Sequence, residues 1–162
     1  MCRGEPRQHR PRNDHAHPAH DGDAVMAGIS DVRNALEAHA LTIAGAPSDL
    51  AWENVQFEPT PGNSWLRFTL LPVSQRPTDV TATGLKRIDA LFQVDAFVPI
   101  DTGPAAAETL AEAIIAAYAP GDPLTSDGVS VQVEYAEVNT SAVYDPPWYS
   151  VSVTIKVKAF IS

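Results

Sequence analysis

FVPIDTGPAAAETLAEAII, residues Phe97 to Ile115, joins two kinds of secondary structure. It begins as the end of an apolar strand, and after Asp101-Thr102-Gly103 the composition becomes rich in alanine. Alanine has the highest helix propensity, and Pro104 suits the first turn of a helix, where a missing N–H costs no hydrogen bond. We therefore predict a strand followed directly by a helix with the inward side chains Ala107, Leu110, Ala111, Ile114 and Tyr118.

The residues before this stretch predict a long β-hairpin. In LKRIDALFQVDAFVPI, residues 85–100, the side chains alternate with a period of two, which is typical of a strand with one buried face. WLRFTLLPV, residues 65–73, alternates in the same way, and a polar segment connects the two strands. Asp89 and Asp95 fall on the wetter face and are predicted to be solvated.

One helix is predicted ahead of the hairpin. SDVRNALEAHALTIAG, residues 30–45, carries an apolar stripe at helical spacing. Ser30 is expected to be its N-cap, and Gly45 is expected to supply the left-handed residue that ends it.

The remaining segments complete an α+β pattern. Residues 50–64 indicate a short extended strand and a loop rich in Pro and Gly, and residues 129–138 and 148–160 alternate strictly as two further strands. The predicted order is α-β-β-β-α-β-β. We expect a mostly antiparallel or mixed sheet of four to five strands with two helices packed on one face.

Length and composition predict one folded domain, residues 26–162, behind an N-terminal extension. The chain has 162 residues and a single cysteine, so we expect no disulfide framework. Residues 1–25 are poor in aromatic and β-branched side chains and rich in Arg, His and Pro, which is typical of disorder. No apolar run approaches the roughly 20 residues that span a bilayer.

The charge of the predicted domain disfavours nucleic-acid binding. From Val25 onward there are seven Lys and Arg residues against sixteen Asp and Glu residues, which accounts for the whole net charge of −9. A body this acidic repels phosphate backbones.

Asp101-Thr102-Gly103 has the residue types of an aspartic protease active site. Such an enzyme needs two carboxylates that share one proton, so a single copy would require a symmetric dimer. The chain lacks a second apolar strand that ends in this motif, and a helix follows it directly. The favoured interpretation is that Asp101 or Thr102 caps the helix and Gly103 relaxes the turn.

The histidine-rich segment HAHPAHD is the other candidate for chemistry. His15, His17, His20 and Asp21 could hold a metal ion adventitiously, but their spacing matches no structural zinc site. We therefore expect no catalytic residue, no metal site and no cofactor.

Residues 51–72, AWENVQFEPTPGNSWLRFTLLP, carry a series of motifs. The series is a Trp-x-Asn-x-x-Phe-x-Pro stretch and then an aromatic-Leu-Arg strand that ends in Leu-Leu-Pro, here Trp52, Asn54, Phe57, Pro59, Trp65, Leu66, Arg67, Leu70, Leu71 and Pro72. This order, continued to Phe160, resembles the tail terminators of long-tailed phages and prophages, the lambda-like minor tail protein U group. In that group Pro often follows the first Trp, where this chain has Glu53.

The resemblance implies a structural virion protein. Members form a ring, expected to be hexameric, that caps the head-proximal end of the tail tube, stops its polymerisation and joins the tail to the head. The partners it implies are further copies of the chain, the major tail tube protein and a head-completion or neck protein, with assembly in the host cytoplasm and DNA only passing through the lumen.

Two segments are expected to dock partners. They are the tip of the hairpin, with Arg76, Asp79, Val80 and Thr83, and the loop before the last strand, with Val143, Tyr144, Asp145 and Trp148. The alternatives are another neck, connector or tail-tube-like virion protein and, less favoured, the aspartic-protease-like enzyme.

Overall fold

The computed structural model describes residues 28–78, 85–126, 128–139 and 142–161. The extension predicted to be disordered, residues 1–25, lies outside these ranges. The described ranges contain two helices and seven strands, in the order α1 (Ile29–Ala40), β1 (Asp49–Ala51), β2 (Trp65–Pro77), β3 (Lys86–Pro99), α2 (Ala105–Ala117), β4 (Leu124–Ser126), β5 (Val129–Val138), β6 (Val143–Asp145) and β7 (Trp148–Ile161).

All seven strands belong to one mixed sheet. β3 and β7 form its centre and pair antiparallel along their whole length, from Lys86 opposite Ile161 to Pro99 opposite Trp148. β2 pairs antiparallel with the other side of β3, and β1 adds to β2 in parallel. β5 and β6 both pair with the free side of β7, and β4 borders β5. The predicted α+β class is therefore confirmed.

The predicted number of strands, four to five, was wrong because two short strands were missed. β4 and β6 have three residues each, which is too short for an alternating pattern to stand out from a loop. β6 lies within the segment that was expected to be a loop between the last two strands, and it pairs with the first residues of β7.

Both helices pack on the same face of the sheet and share one core with it. Alternation places every second side chain of the central strands on this face, as expected for a sheet that is buried on one side only. The fully buried side chains among the described residues come from both helices, from four strands and from Tyr118 just after α2: Val32, Leu36, Ala40, Leu66, Phe92, Val94, Ala96, Val98, Ala107, Ile114, Tyr118, Val131, Val153, Ile155, Val157 and Ala159.

The ends of α1 differ from the prediction. Its N-cap is Gly28 and not Ser30, and the Gly28 N–H donates a hydrogen bond of 2.7 Å to Asp31 Oδ2. An acidic side chain in the first turn also suits the positive end of the helix dipole. The helix ends at Ala40, so Gly45, with a φ of 70°, shapes the loop before β1 and does not end the helix.

The two helices are joined to each other by polar contacts in the core. The Tyr118 hydroxyl donates a hydrogen bond of 2.7 Å to the Leu36 carbonyl, and His39 Nε2 lies 2.7 Å from the Ala117 carbonyl oxygen. The rings of His39 and Tyr118 meet edge to face, with their centroids 5.0 Å apart. In the described parts of the chain, neither helix is long and apolar enough to cross a bilayer.

Candidate functional site

The helix-free face of the sheet, together with its two ends, carries the candidate docking surfaces. We call this side the open face. β3 runs along it for 14 residues, and at a rise of about 3.3 Å per residue its ends are about 45 Å apart. The hairpin of β2 and β3 projects at one end, and the hairpin of β6 and β7 lies at the other. Arg76, from the first segment predicted to dock a partner, and the β6–β7 hairpin therefore lie at opposite ends of one sheet.

The β6–β7 hairpin brings four predicted docking residues together. Val143 pairs with Ser150, Tyr144 with Tyr149 and Asp145 with Trp148, around a turn at Pro146-Pro147. The side chains of Val143 and Tyr144 are 52% and 64% exposed, and Asp145 is also exposed. Large apolar side chains with this exposure are available to a partner.

A shallow cleft of about 350 Å³ lies beside this hairpin. Its lining is largely apolar and combines the end of β3, the turn before α2 and the hairpin: Pro99, Ile100, Asp101, Gly103, Pro104, Tyr144 and Tyr149. The cleft adds a concave surface to the exposed side chains of the hairpin.

Trp148 has a different role from the exposed residues of the hairpin. It is half-buried and meets Trp65 edge to face, with ring centroids 6.0 Å apart. Trp65 in turn stacks on Phe97 at 3.8 Å and contacts Phe57 at 5.2 Å. The indole N–H of Trp65 is buried without a hydrogen-bond partner among the described residues. Trp148 therefore belongs to an aromatic cluster that anchors the hairpin to the sheet.

The residues of the family motif hold the loop between β1 and β2 against the sheet. Trp52 stacks on Phe68 with ring centroids 4.6 Å apart, and Phe57 joins the aromatic cluster. Asn54 has a φ of 59° in a turn that the Val55 N–H closes with a bond to the Trp52 carbonyl, and Pro59 is half-buried. The aromatic residues of the motif therefore stabilise the packing of this loop on the sheet.

Glu53, where the chain departs from the family pattern, covers part of the edge of β2. Its carboxylate accepts a hydrogen bond from the Leu70 backbone N–H at 3.3 Å and pairs with Arg33 of α1 at 2.5 Å. The hydrogen bond from Arg33 lowers the pKa of Glu53. A covered edge N–H is withdrawn from pairing with another strand.

Arg67, in the aromatic-Leu-Arg part of the motif series, forms an ion pair across the open face. Its Nε and Nη2 donate to Asp95 Oδ2 at 3.0 and 2.8 Å, and Gln93 Nε2 and Ser152 Oγ donate to Asp95 Oδ1. Only 2% of the surface of Asp95 is exposed, so the prediction that it is solvated was wrong. Its four donors come from three neighbouring strands, and they replace the water that a carboxylate needs.

A basic cluster, Arg76, Arg87, Lys156 and Lys158, lies on the open face at the end of the β2–β3 hairpin. Arg87 forms an ion pair with Asp89 at 2.5 Å. Glu134 forms ion pairs with three cations, Arg87 at 3.6 Å, Lys156 at 3.0 Å and Lys158 at 3.6 Å. The hydrogen bond from Lys156 lowers the pKa of Glu134, and that from Arg87 lowers the pKa of Asp89.

The other predicted docking residues of this hairpin, Asp79, Val80 and Thr83, lie outside the described residues. Arg76 is described and is exposed. It lines a cleft of about 340 Å³ together with Val73, Ser74, Arg87, Asp89 and Lys156. The structure therefore places Arg76 in a charged recess, which the alternating pattern of β2 alone could not indicate.

Asp101-Thr102-Gly103 forms the turn between β3 and α2, but it does not cap the helix as predicted. The Thr102 hydroxyl donates to the Pro99 carbonyl at 2.7 Å, and the N-cap of α2 is Pro104. Asp101 is exposed and has a φ of 67°, while Gly103 has a φ of 80°, a conformation that glycine adopts without strain. The motif therefore serves a sharp change of chain direction.

The histidines considered as adventitious metal ligands, His15, His17 and His20, lie outside the described residues. Within the described ranges, no group of three or more His, Cys, Asp or Glu side chains is placed to hold a metal ion. On the open face, ion pairs join Arg67 to Asp95, Arg87 to Asp89 and Lys156 to Glu134.

Comparison with known proteins relates residues 31–156 to one family and the chain to one solved fold. A solved structure shares the fold with a TM-score of 0.61 and 20% sequence identity, and the alignment covers 83% of this chain and 96% of that chain. No curated protein sequence matches significantly. The profile of a family described as phage tail terminator protein matches residues 31–156, from α1 into β7. The chain therefore belongs to the phage tail terminator protein family, whose members are structural proteins of the phage tail.

Proposed function

We propose that this protein forms a ring on the head-proximal end of the tail tube, stops the polymerisation of the tube and joins the tail to the head. The observation that carries the proposal is the family match over residues 31–156. The fold supports it, because one rigid sheet carries two candidate docking surfaces at its opposite ends.

A terminator must present different surfaces to the tube and to the head. If both ends of the subunit were alike, a ring bound to the tube would offer the same surface again, and polymerisation would continue. The β6–β7 end offers exposed Val143 and Tyr144 beside an apolar cleft. The β2–β3 end is polar instead, with Gln75 and Thr78 exposed where the strand ends. This difference in chemistry suits two unlike partners, the tube protein and a head-completion or neck protein.

The ring itself requires contacts between copies that close on themselves. A hexamer is the copy number that the family resemblance implies, and the lumen would let DNA pass without sequence-specific contacts. In this role the protein makes and breaks no covalent bond and needs no cofactor. Its place is the neck of the virion, after assembly in the host cytoplasm.

Tube length is the direct test of the proposal. Purified tube protein of the same phage would be polymerised with and without this protein, and tube lengths would be measured by electron microscopy. Short tubes that carry extra density at one end are expected. Glu58→Gln, at an exposed position of the β1–β2 loop outside both docking surfaces, is the control and should cap as the wild type does.

Tubes that grow equally long with and without the protein would contradict the capping role. Binding to the head-completion protein without any effect on tube length would instead favour another position in the neck.

A further inference from the structure

We infer that neighbouring copies contact each other head to tail through opposite charges. The basic cluster of one copy would bind the acidic exposed side of α2 of the next copy. This inference rests on the proposed ring and deepens it by naming the two surfaces.

The basic cluster has more positive than negative charge. Among the described residues, three of its four cations, Arg87, Lys156 and Lys158, pair with two carboxylates, those of Asp89 and Glu134. Glu134 alone serves three of the cations. This excess of positive charge stands out in a chain with a net charge of −9, and it points to an acidic partner.

The surroundings of the cluster indicate that the acidic partner is a protein. Val73, Phe160, Leu71 and Tyr135 lie on the same part of the open face, and between 40% and 62% of each side chain is exposed. Lys156 Nζ lies 5.8 Å above the ring of Tyr135. Arginine and aromatic side chains together are the composition of protein–protein hot spots. A surface for phosphate alone would not need exposed apolar side chains.

The chain itself carries a matching acidic surface on α2. Glu108 and Glu112 are exposed one turn apart, and no Lys or Arg lies between Ala105 and Ala117. Like charges at this spacing repel each other and weaken a helix slightly. A cationic surface laid over them would relieve that repulsion.

The positions of the two surfaces fit a head-to-tail contact. α2 packs on the helix-covered face of the sheet, whereas the basic cluster projects from the open face. Two different surfaces on different sides of one chain are what a heterologous interface requires, and such an interface closes into a ring when the rotation between copies closes. The second copy is therefore the occupant that we assign to the basic cluster.

A charge-swap experiment tests this assignment. One variant carries Arg76→Glu and Lys158→Glu, a second carries Glu108→Lys and Glu112→Lys, and a third carries all four changes. Association would be measured by native mass spectrometry and light scattering at about 0.1 M salt, where the screening length is about 10 Å. Each two-site variant should associate at least about 100-fold more weakly than the wild type, because like charges then face each other. The four-site variant should return to within about tenfold of the wild type.

Thermal unfolding of every variant distinguishes the loss of the contact between copies from the loss of the folded structure. Glu58→Lys, which changes an exposed acid on the β1–β2 loop, is the control and should associate as the wild type does. Wild-type association in the two-site variants, no recovery in a folded four-site variant, or a wild type that stays monomeric at every soluble concentration would each overturn the inference. If charge-swapped variants that associate normally also cap tubes, the inference fails and the proposed function stands. If the swap pattern holds but tubes grow unchecked, the proposed function fails and the contact stands.

Discussion

Asp95 is a carboxylate on the helix-free face of a sheet, yet it is almost completely buried. Arg67 covers it from β2. Gln93 donates a hydrogen bond to it from β3, the strand of Asp95 itself, and Ser152 donates one from β7. Arg67 also lies over the ring of Phe97, 5.1 Å from its centroid, and about half of its side chain remains exposed. The ion pair joins β2 to β3, and the hydrogen bond from Ser152 adds β7, next to the aromatic cluster.

Asp95→Ala should lower the free energy of unfolding by about 2–3 kcal/mol, because it removes a buried carboxylate that accepts four hydrogen bonds, two of them from the charged Arg67. Asp89→Ala is the matched control on the same strand and face. Asp89 is only partly buried, so its loss should cost about 1 kcal/mol or less. Denaturant unfolding would measure both values. Equal losses for the two variants would show that the burial of Asp95 has no energetic consequence.

The carboxylates of the basic cluster predict a loss of stability in acid. The pKa values of Glu134 and Asp89 are lowered in the folded chain by hydrogen bonds from Lys156 and Arg87. Their ionised forms therefore stabilise the fold above the unfolded pKa, and this contribution is lost as the pH falls through the folded pKa. The melting temperature should fall between about pH 5 and about pH 3.

Glu134→Gln should melt at a lower temperature than the wild type at neutral pH and lose less between neutral and acid pH. Calorimetry across this pH range would check the prediction. Glu137→Gln, at an exposed position of the same strand, is the control and should follow the wild-type curve. An unchanged pH dependence in Glu134→Gln would refute the assignment.

At the scale of the elements, the contact between α1 and α2 depends on Tyr118. Its ring is fully buried, contacts Phe92 and His39, and places its hydroxyl on the Leu36 carbonyl. Burial raises the pKa of Tyr118, so the hydroxyl keeps its proton and remains a donor. Tyr118→Phe should lower the free energy of unfolding by about 1 kcal/mol without changing assembly.

Tyr149→Phe is the control for this prediction, because the Tyr149 side chain is only half-buried, in the β6–β7 hairpin. Denaturant unfolding measures the difference between the two variants. A loss of association in folded Tyr118→Phe would mean that the helix contact also shapes a docking surface.

The β6–β7 hairpin is the element in which stability and docking should separate. Tyr144→Ala removes an exposed ring, so the free energy of unfolding should change by less than about 0.5 kcal/mol. We expect this variant to fold normally and to bind one of its partners, the tube end or the head-completion protein, at least about tenfold more weakly.

Co-sedimentation with each partner would check this prediction. Leu41→Ala is the matched control, because the Leu41 side chain is 67% exposed but lies at the end of α1, outside both docking segments. Wild-type binding of Tyr144→Ala to both partners would remove this hairpin from the docking surfaces.

At the scale of the whole molecule, charge is distributed unevenly between the two sides of the sheet. The basic cluster lies on the open face, whereas the charged residues of α2, Glu108 and Glu112, are both acidic and exposed. If copies associate through these surfaces, raising the salt concentration from about 0.1 M to about 1 M should weaken association, because the screening length falls from about 10 Å to about 3 Å.

Sedimentation at several salt concentrations would measure this effect, with the melting temperature as a control for the fold. Association that strengthens with salt would indicate that apolar contacts hold the copies together.

Local periodicity determined most of the elements of this protein. The alternation of residues 65–73, 85–100, 129–138 and 148–160 predicted the four long strands, and the Ala-rich segment after Gly103 predicted α2. The ordered motifs also indicated the family.

Tertiary structure alone decided the order of the strands, the two short strands β4 and β6 and the burial of Asp95. Periodicity reports which side chains share a face but not what covers that face. Asp95 is covered by Arg67, 28 residues earlier, and by Ser152, 57 residues later, and no local pattern contains such contacts. A three-residue strand likewise exists only because a neighbouring strand supplies its hydrogen bonds.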